Sequence, residues 1–197
     1  RAGAAAWVSL EPWKGANFSV GGELYAWNDI SSSVGPLPNP VRSDVVNYLE
    51  KDYALSNLMF EQILKTKREI YGKIAAGFLE IEYAGLDAEM ATTLFDGRIL
   101  TGVGGSLVKK RDPGNPLKLI NDDMNDNYKT AFFNTRVNFQ DLEMYVDVKA
   151  GRFLAGDKGA RVTVTKSFFN GVQLAAWYSF TDTSIFTDTY NNGYHDK

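Results

Sequence analysis

From Glu143 to Thr181 the chain alternates apolar and polar residues with a period of two, and that pattern commits it to β-strands. Met144, Val146, Val148 and Ala150 share one parity, while Tyr145, Asp147, Lys149 and Gly151 share the other. Val162 and Val164 alternate in the same way with Arg161, Thr163 and Thr165. Asn170-Gly171 then supplies the residues that tolerate positive φ in a tight hairpin. Beyond it, Val172, Leu174, Ala176, Tyr178 and Phe180 alternate with Gln173, Ala175, Trp177, Ser179 and Thr181.

The same grammar runs upstream. Strands are predicted over Ile70–Glu80, Ala84–Leu94, Arg98–Val108 and Tyr128–Asn138, with weaker patterns over Gly3–Leu10, Phe18–Trp27 and Ala54–Leu64. The total is about ten strands, each near the 9–11 residues that a tilted membrane strand needs. Short turns fall near Pro12–Gly15, Thr66–Arg68, Phe95–Gly97, Gln140–Leu142 and Asn170–Gly171. Longer polar connections lie near Asn28–Asp52, Lys109–Asn127, Leu154–Gly159 and Asp182–His195. Short turns on one rim and longer loops on the other are the habit of outer-membrane barrels. The Glu80–Tyr83 link is an exception, short where a long loop is due. Ser43–Glu50 has a capping Ser and helical spacing, so a short helix is predicted in the first long, outer loop.

Alternation leaves open which face meets water. A soluble barrel turns its apolar face inward, and a membrane barrel turns it outward. Three features point to the membrane. Charges of both signs and small residues share the polar face: Lys73, Asp87, Glu89, Gly102, Gly104, Arg136, Asp147, Lys149 and Arg161. Aromatics gather beside the short turns at Trp13, Phe95, Phe139, Phe168 and Phe169, as interfacial girdles do. The apolar face is rich in Ala, which is thin material for a soluble core. The expected fold is therefore an all-β, antiparallel, up-and-down transmembrane β-barrel. Residues 1–197 would form part of one such domain in the bacterial outer membrane. Because the chain begins at Arg1 and stops at Lys197 in mid-pattern, it reads as a piece of something longer.

Composition narrows the function. A net charge of -3 gives no basic footprint, so nucleic acid is not an expected partner. With no Cys and one His, neither thiolate nor zinc chemistry is expected, and no cofactor is implied. Asn121–Asn127 is oxygen-rich, but lacks the spacing and closing Glu of a calcium loop. Asp87, Glu89 and Asp147 invite comparison with glycosidase acid–base pairs. On a lumen face, carboxylates more commonly balance Lys and Arg opposite. His195 has no Ser or Cys nucleophile motif near it.

Flat rings stack on the C–H faces of sugars, so Tyr145, Trp177, Tyr25 and Trp27, on the polar face by parity, are candidate sugar contacts. Around the Leu154–Gly159 turn, Arg152, Asp157, Lys158 and Arg161 could together hold an acidic sugar. The simpler reading is a tight turn with solvated charges. The expected binding set is Trp177, Tyr145, Arg161, Arg152, Lys149, Asp147 and Trp27, with no catalytic or metal-binding residue.

Several segments carry a resemblance. Val41-Arg42-Ser43-Asp44-Val45, Ala76-Gly77-Phe78-Leu79-Glu80, Tyr83-Ala84-Gly85, Lys110-Arg111-Asp112, Ala150 to Gly159 and Tyr194-His195-Asp196-Lys197 resemble the YjbH/GfcD-like family. The match runs from about Val41 onward, and the Ala-Gly-Arg-Phe-Leu-Ala-Gly-Asp-Lys-Gly run is its most specific piece. The resemblance implies an outer-membrane lipoprotein encoded with exopolysaccharide or capsule genes, longer than this chain. It assigns no catalytic residue, and the lipidated N-terminal Cys expected of the family is absent here.

The leading expectation is a non-enzymatic outer-membrane barrel acting in polysaccharide export or assembly. Its partners would be outer-membrane lipid, polysaccharide, and periplasmic or outer-membrane secretion proteins. The alternative is a soluble periplasmic β-protein that binds or modifies carbohydrate. A third is a structural scaffold with a plugged lumen.

Overall fold

The computed structural model describes residues 1–30, 41–42, 44–66, 69–121, 127–169 and 171–182. Eleven strands form one sheet: β1 (Ala2–Leu10), β2 (Ala16–Trp27), β3 (Tyr53–Lys65), β4 (Ile70–Phe78), β5 (Tyr83–Leu94), β6 (Ile99–Arg111), β7 (Leu119–Ile120), β8 (Tyr128–Phe139), β9 (Met144–Arg152), β10 (Lys158–Ser167) and β11 (Gln173–Thr181). One short helix, α1 (Val46–Leu49), lies between β2 and β3. Sequential strands are neighbours from β1 to β6 and from β8 to β11, β6 adjoins β8, and β7 pairs with β6.

All ten expected strands are present, most within one or two residues of their expected bounds. β6 runs on to Arg111 beyond the expected Val108, and β7 was not expected. The helix is a single turn, with Val45 at its N-cap position and no side-chain cap. The expected cap Ser43 lies outside the described residues, as do Asn170, the segment 122–126 and His195. The expected barrel closure is not part of the recorded pairing. Among the described residues, β1 and β11 are the two ends of the sheet path.

Turn chemistry explains why the hairpins close where they do. Phe95, Asp96 and Gly97 all have positive φ, and a Cβ on Gly97 would meet nothing within 4 Å, so glycine serves backbone freedom there rather than packing. Gly77, at φ +131°, adds a packing reason to the backbone one. A Cβ there would lie 2.1 Å from the Leu58 carbonyl oxygen, so only glycine lets β4 lie this close to β3.

The described residues pack into two compact units. The first comprises Arg1–Ile63, Lys73–Asp87 and Ser106–Tyr128; the second comprises Leu64–Gly72, Ala88–Gly105 and Lys129–Lys197. In each unit burial is inverted with respect to a water-soluble sheet. In the first, Ser19 is 7% exposed while its neighbours Phe18 and Val20 are 39% and 36% exposed. In the second, Ser179 is 3% exposed between Tyr178 at 50% and Phe180 at 47%. The buried apolar residues are Ala, Tyr and Val; among the described residues no Leu, Ile or Phe is buried. Leu86, Met90, Val103, Leu107, Phe133 and Leu174 are all exposed. The turn aromatics Trp13, Phe95, Phe139, Phe168 and Phe169 are exposed as well.

Candidate functional site

In the second unit, strand register gathers most of the expected binding residues. Asn134, Lys149, Arg161 and Ser179 stand opposite one another across β8, β9, β10 and β11. The next polar level holds Arg136, Asp147, Thr163 and Trp177, and the one beyond it Asn138, Tyr145, Thr165 and Ala175. These levels are two residues apart, so all their side chains share one face. The Arg136 guanidinium grips Asp147 through two hydrogen bonds of 2.6 and 2.9 Å and lies 4.1 Å from the Tyr145 ring centre. The Lys149 ammonium sits 3.9 Å from the Phe132 ring centre, and Arg161 Nε donates to Ser179 Oγ at 2.6 Å. Tyr145 thus has one ring face covered by a cation, whereas Trp177 stays half exposed.

Two expected members fall elsewhere. Arg152 stands opposite Lys158 and Ala131, on the parity of Ala150, so it faces away from Arg161. The expected four-charge cluster at this turn does not assemble. The turn is instead closed by the Phe153 amide donating to the Asp157 carbonyl at 2.8 Å and by Gly156 at φ +92°. Trp27 belongs to the first unit, opposite Ala2 and exposed.

A second constellation, absent from the expected set, lies in the first unit at the long-loop ends of β4, β5 and β6. β4 ends at Phe78 and β5 begins at Tyr83, so only Leu79–Glu82 connects them. The first long loop fastens onto this short link. Arg42 pairs with Glu80 at 2.5 Å, and the Tyr83 hydroxyl donates to the Val41 carbonyl. The buried Lys110 ammonium donates to both Asp44 oxygens at 2.8 and 2.9 Å. The Tyr48 hydroxyl of α1 donates to the Arg111 carbonyl at 2.5 Å.

Arg111 holds the assembly together. Its guanidinium is buried and donates to three backbone carbonyls: Leu55 at 3.0 Å, Ile81 at 3.0 Å and Pro116 at 3.2 Å. It lies 3.4 Å from the Phe78 ring centre, and its own amide donates to the Glu82 carbonyl at 2.7 Å. One side chain therefore satisfies orphan carbonyls on three segments, which a lysine's single ammonium is poorly shaped to do.

Beside it, the Glu82 side chain is fully buried, and its Oε2 has no hydrogen-bond partner among the described residues. Burial first, then the negative charge of Asp44 and a hydrogen bond to it, push the Glu82 carboxyl up to about 8, with Lys110 acting in opposition. Burial also raises the Tyr48 hydroxyl, which stays a neutral donor. Tyr83 and Tyr128 form a T-shaped pair, 5.1 Å between centres, and the Lys110 ammonium is 6.0 Å from the Tyr83 ring centre.

Four segments that carry the sequence resemblance meet here: Val41–Val45, Ala76–Glu80, Tyr83–Gly85 and Lys110–Asp112. That coincidence was the one available signal for this site. Period-two reading passes over it because these residues sit at strand ends, where parity lapses. Against this constellation lies a cavity of about 290 Å³, lined by Tyr48, Lys51, Tyr53, Phe78, Arg111 and Asp112 among others. Among the described residues no group of three or more His, Cys, Asp or Glu is placed to hold a metal ion, and no helix is long and apolar enough to cross a membrane.

Comparison with known proteins gives these features a family. The YjbH family model, described as exopolysaccharide biosynthesis protein YbjH, matches residues 1–197. The chain is 28% identical over 147 residues to the uncharacterized lipoprotein YjbH of Escherichia coli (strain K12), an overlap covering 73% of this chain and 21% of that protein. The matched region thus spans about a fifth of the relative's length. No solved structure matches. The chain belongs to the YjbH family of exopolysaccharide biosynthesis proteins.

Proposed function

We propose that the protein is a non-enzymatic component of a bacterial outer-membrane β-barrel that takes part in exopolysaccharide or capsule export or assembly. The observation that carries this reading is the inverted burial. A sheet that exposes Tyr178 and Phe180 while sheltering Ser179 and Thr165 suits lipid on one face and an aqueous passage on the other. In the soluble alternative those side chains would face water, so that reading needs some other cover for the whole apolar face. The family's link to exopolysaccharide biosynthesis supplies the cargo, and the relative's name, a lipoprotein, supports an envelope location.

On the polar face, half-exposed Trp177 offers a ring for sugar stacking, opposite Thr163 and on the same face as Tyr145, Asp147, Lys149 and Arg161. The ion pairs Arg136–Asp147 and Lys73–Asp87 occupy two of the carboxylates that glycosidase chemistry would need, which favours passage over catalysis. The partners are outer-membrane lipid, polysaccharide, and secretion proteins of the envelope, with no role for nucleic acid. Planar-bilayer recording of the full-length protein tests this reading. Stable conductance steps that exopolysaccharide fragments block are expected; correct insertion without conductance would overturn export through this barrel in favour of a plugged scaffold.

A further inference from the structure

We propose that the cavity beside Arg111 is a binding subsite for a neutral stretch of polysaccharide. The proposal rests on the polysaccharide-handling reading above and deepens it. At about 290 Å³ the cavity is near the lower end of the range for small-molecule sites. It lies wholly within the first unit, at the long-loop ends of β3, β4 and β6.

Charge decides the class of ligand. The lining contains three cationic side chains, Arg1, Lys51 and Arg111, and three carboxylates, Glu23, Glu80 and Asp112. Glu80 is already paired with Arg42 and Asp112 with Lys118, and the Arg111 guanidinium, the buried cation of the lining, is engaged with three carbonyls, so a uronate meets no buried cation that lacks partners. An aliphatic ligand would strip water from the polar groups of the lining that the protein leaves solvated, with nothing to replace it. A neutral sugar satisfies both sets: its hydroxyls donate to carboxylates and accept from cations, while the lining aromatics Tyr48, Tyr53 and Phe78 supply apolar surface for C–H faces. The neutral class also separates this subsite from the acidic-sugar cluster expected at the Leu154–Gly159 turn, which the fold does not assemble.

The walls are fixed in advance. Arg111 is held by three carbonyls, and Asp112 Oδ1 accepts from the Gly114 amide at 2.8 Å. The Asp112 amide donates to the Lys118 carbonyl at 2.8 Å, so the loop after β6 is tied back on itself. Tyr48 belongs to α1 and Lys51 to the residues just after it, so the subsite is complete only while the first long loop stays fastened. A preformed site loses less on binding than one that must order itself.

The test is retention of the full-length protein on a glycan array carrying neutral hexose and 6-deoxyhexose oligosaccharides beside uronate oligosaccharides. Asp112→Asn and Tyr53→Leu are run in parallel. Asp112→Asn keeps the oxygen that accepts from Gly114 but removes the charge, and Tyr53→Leu removes the ring but keeps apolar bulk. Wild-type protein is expected to bind neutral glycans. Each variant should bind about tenfold more weakly while melting as wild type does, the effect of removing one hydrogen bond to a charged group or one ring from a stack. Retention of uronates alone, of no neutral glycan, or of neutral glycans equally by both variants would overturn the subsite. The array needs no membrane and bilayer recording needs no sugar, so the two readings fail separately. Conductance without neutral-glycan retention removes the subsite alone. Retention that depends on Asp112 and Tyr53, without conductance, upholds the subsite and removes the export pore alone.

Discussion

Replacing Glu82 with glutamine should fasten the α1 loop more tightly at neutral and alkaline pH and leave it unchanged in acid. In the folded chain the carboxyl is driven from its ordinary 4.5 up to about 8 by burial and by Asp44, so between those values the folded state binds more protons than the unfolded one. The fastening therefore has its full strength below the ordinary carboxyl range and loses it as pH rises to about 8. At about 1.4 kcal/mol per tenfold change in proton affinity, the loss is on the order of 5 kcal/mol. Glutamine is neutral at every pH and its amide can donate to Asp44 as the protonated acid does.

The assay is hydrogen exchange, normalised for intrinsic rate, at the amides of Asn47, Tyr48, Leu49 and Glu50. These donate within the α1 turn to Asp44, Val45, Val45 and Val46 at 3.0 to 3.1 Å. Wild-type protection should fall between pH 5 and pH 9 while the Glu82→Gln profile stays flat and higher at pH 9. Wild-type protection that does not change over that range, or a Glu82→Gln variant that is unprotected at every pH, would refute the reasoning.

Other substitutions probe the remaining interactions. Arg111→Lys should cost roughly 3–5 kcal/mol in thermal unfolding, since a single ammonium cannot reach all three carbonyls and those left over are buried without partners. Val164→Arg should destabilise the protein in lipid by about 2–4 kcal/mol near the bilayer centre, while Thr163→Arg, on the polar face, should be tolerated; equal costs would remove the assignment of faces. Trp177→Ala should weaken sugar block of conductance about tenfold, because the sugar no longer has the indole to stack on, with unitary conductance kept.

Legibility followed the physics of each region. β9, β10 and β11 could be read almost to the residue because one face carries Val, Ala and Leu and the other Asp, Lys, Arg and Thr. Asp96-Gly97 announced its turn because positive φ is a backbone need that side chains reveal. Closeness to one turn groups Arg152 with Arg161, although counting by twos from Ala150 places it on the other face. In the sequence the end of β6 reads as loop because Lys110 and Arg111 look like solvated charges; both are buried, their desolvation offset by Asp44 and by three carbonyls. The short Leu79–Glu82 link broke the alternation of loop lengths for a reason no local pattern records. The loop after β2, far away in sequence, supplies the missing cover through Val41, Arg42 and Asp44. β7, two residues long, has too few positions to show a period.

The central claim is that lipid covers the apolar face, and depth-dependent quenching tests it most directly. Residues 1–197 contain no Cys, so a single cysteine introduced at 177, 178, 179 or 180 is the sole one in this stretch and can carry a fluorophore. With the full-length protein in bilayers containing brominated lipid, positions 178 and 180 should be quenched by lipid and 177 and 179 by aqueous iodide. Aqueous quenching at all four positions, or the opposite alternation, would contradict the account.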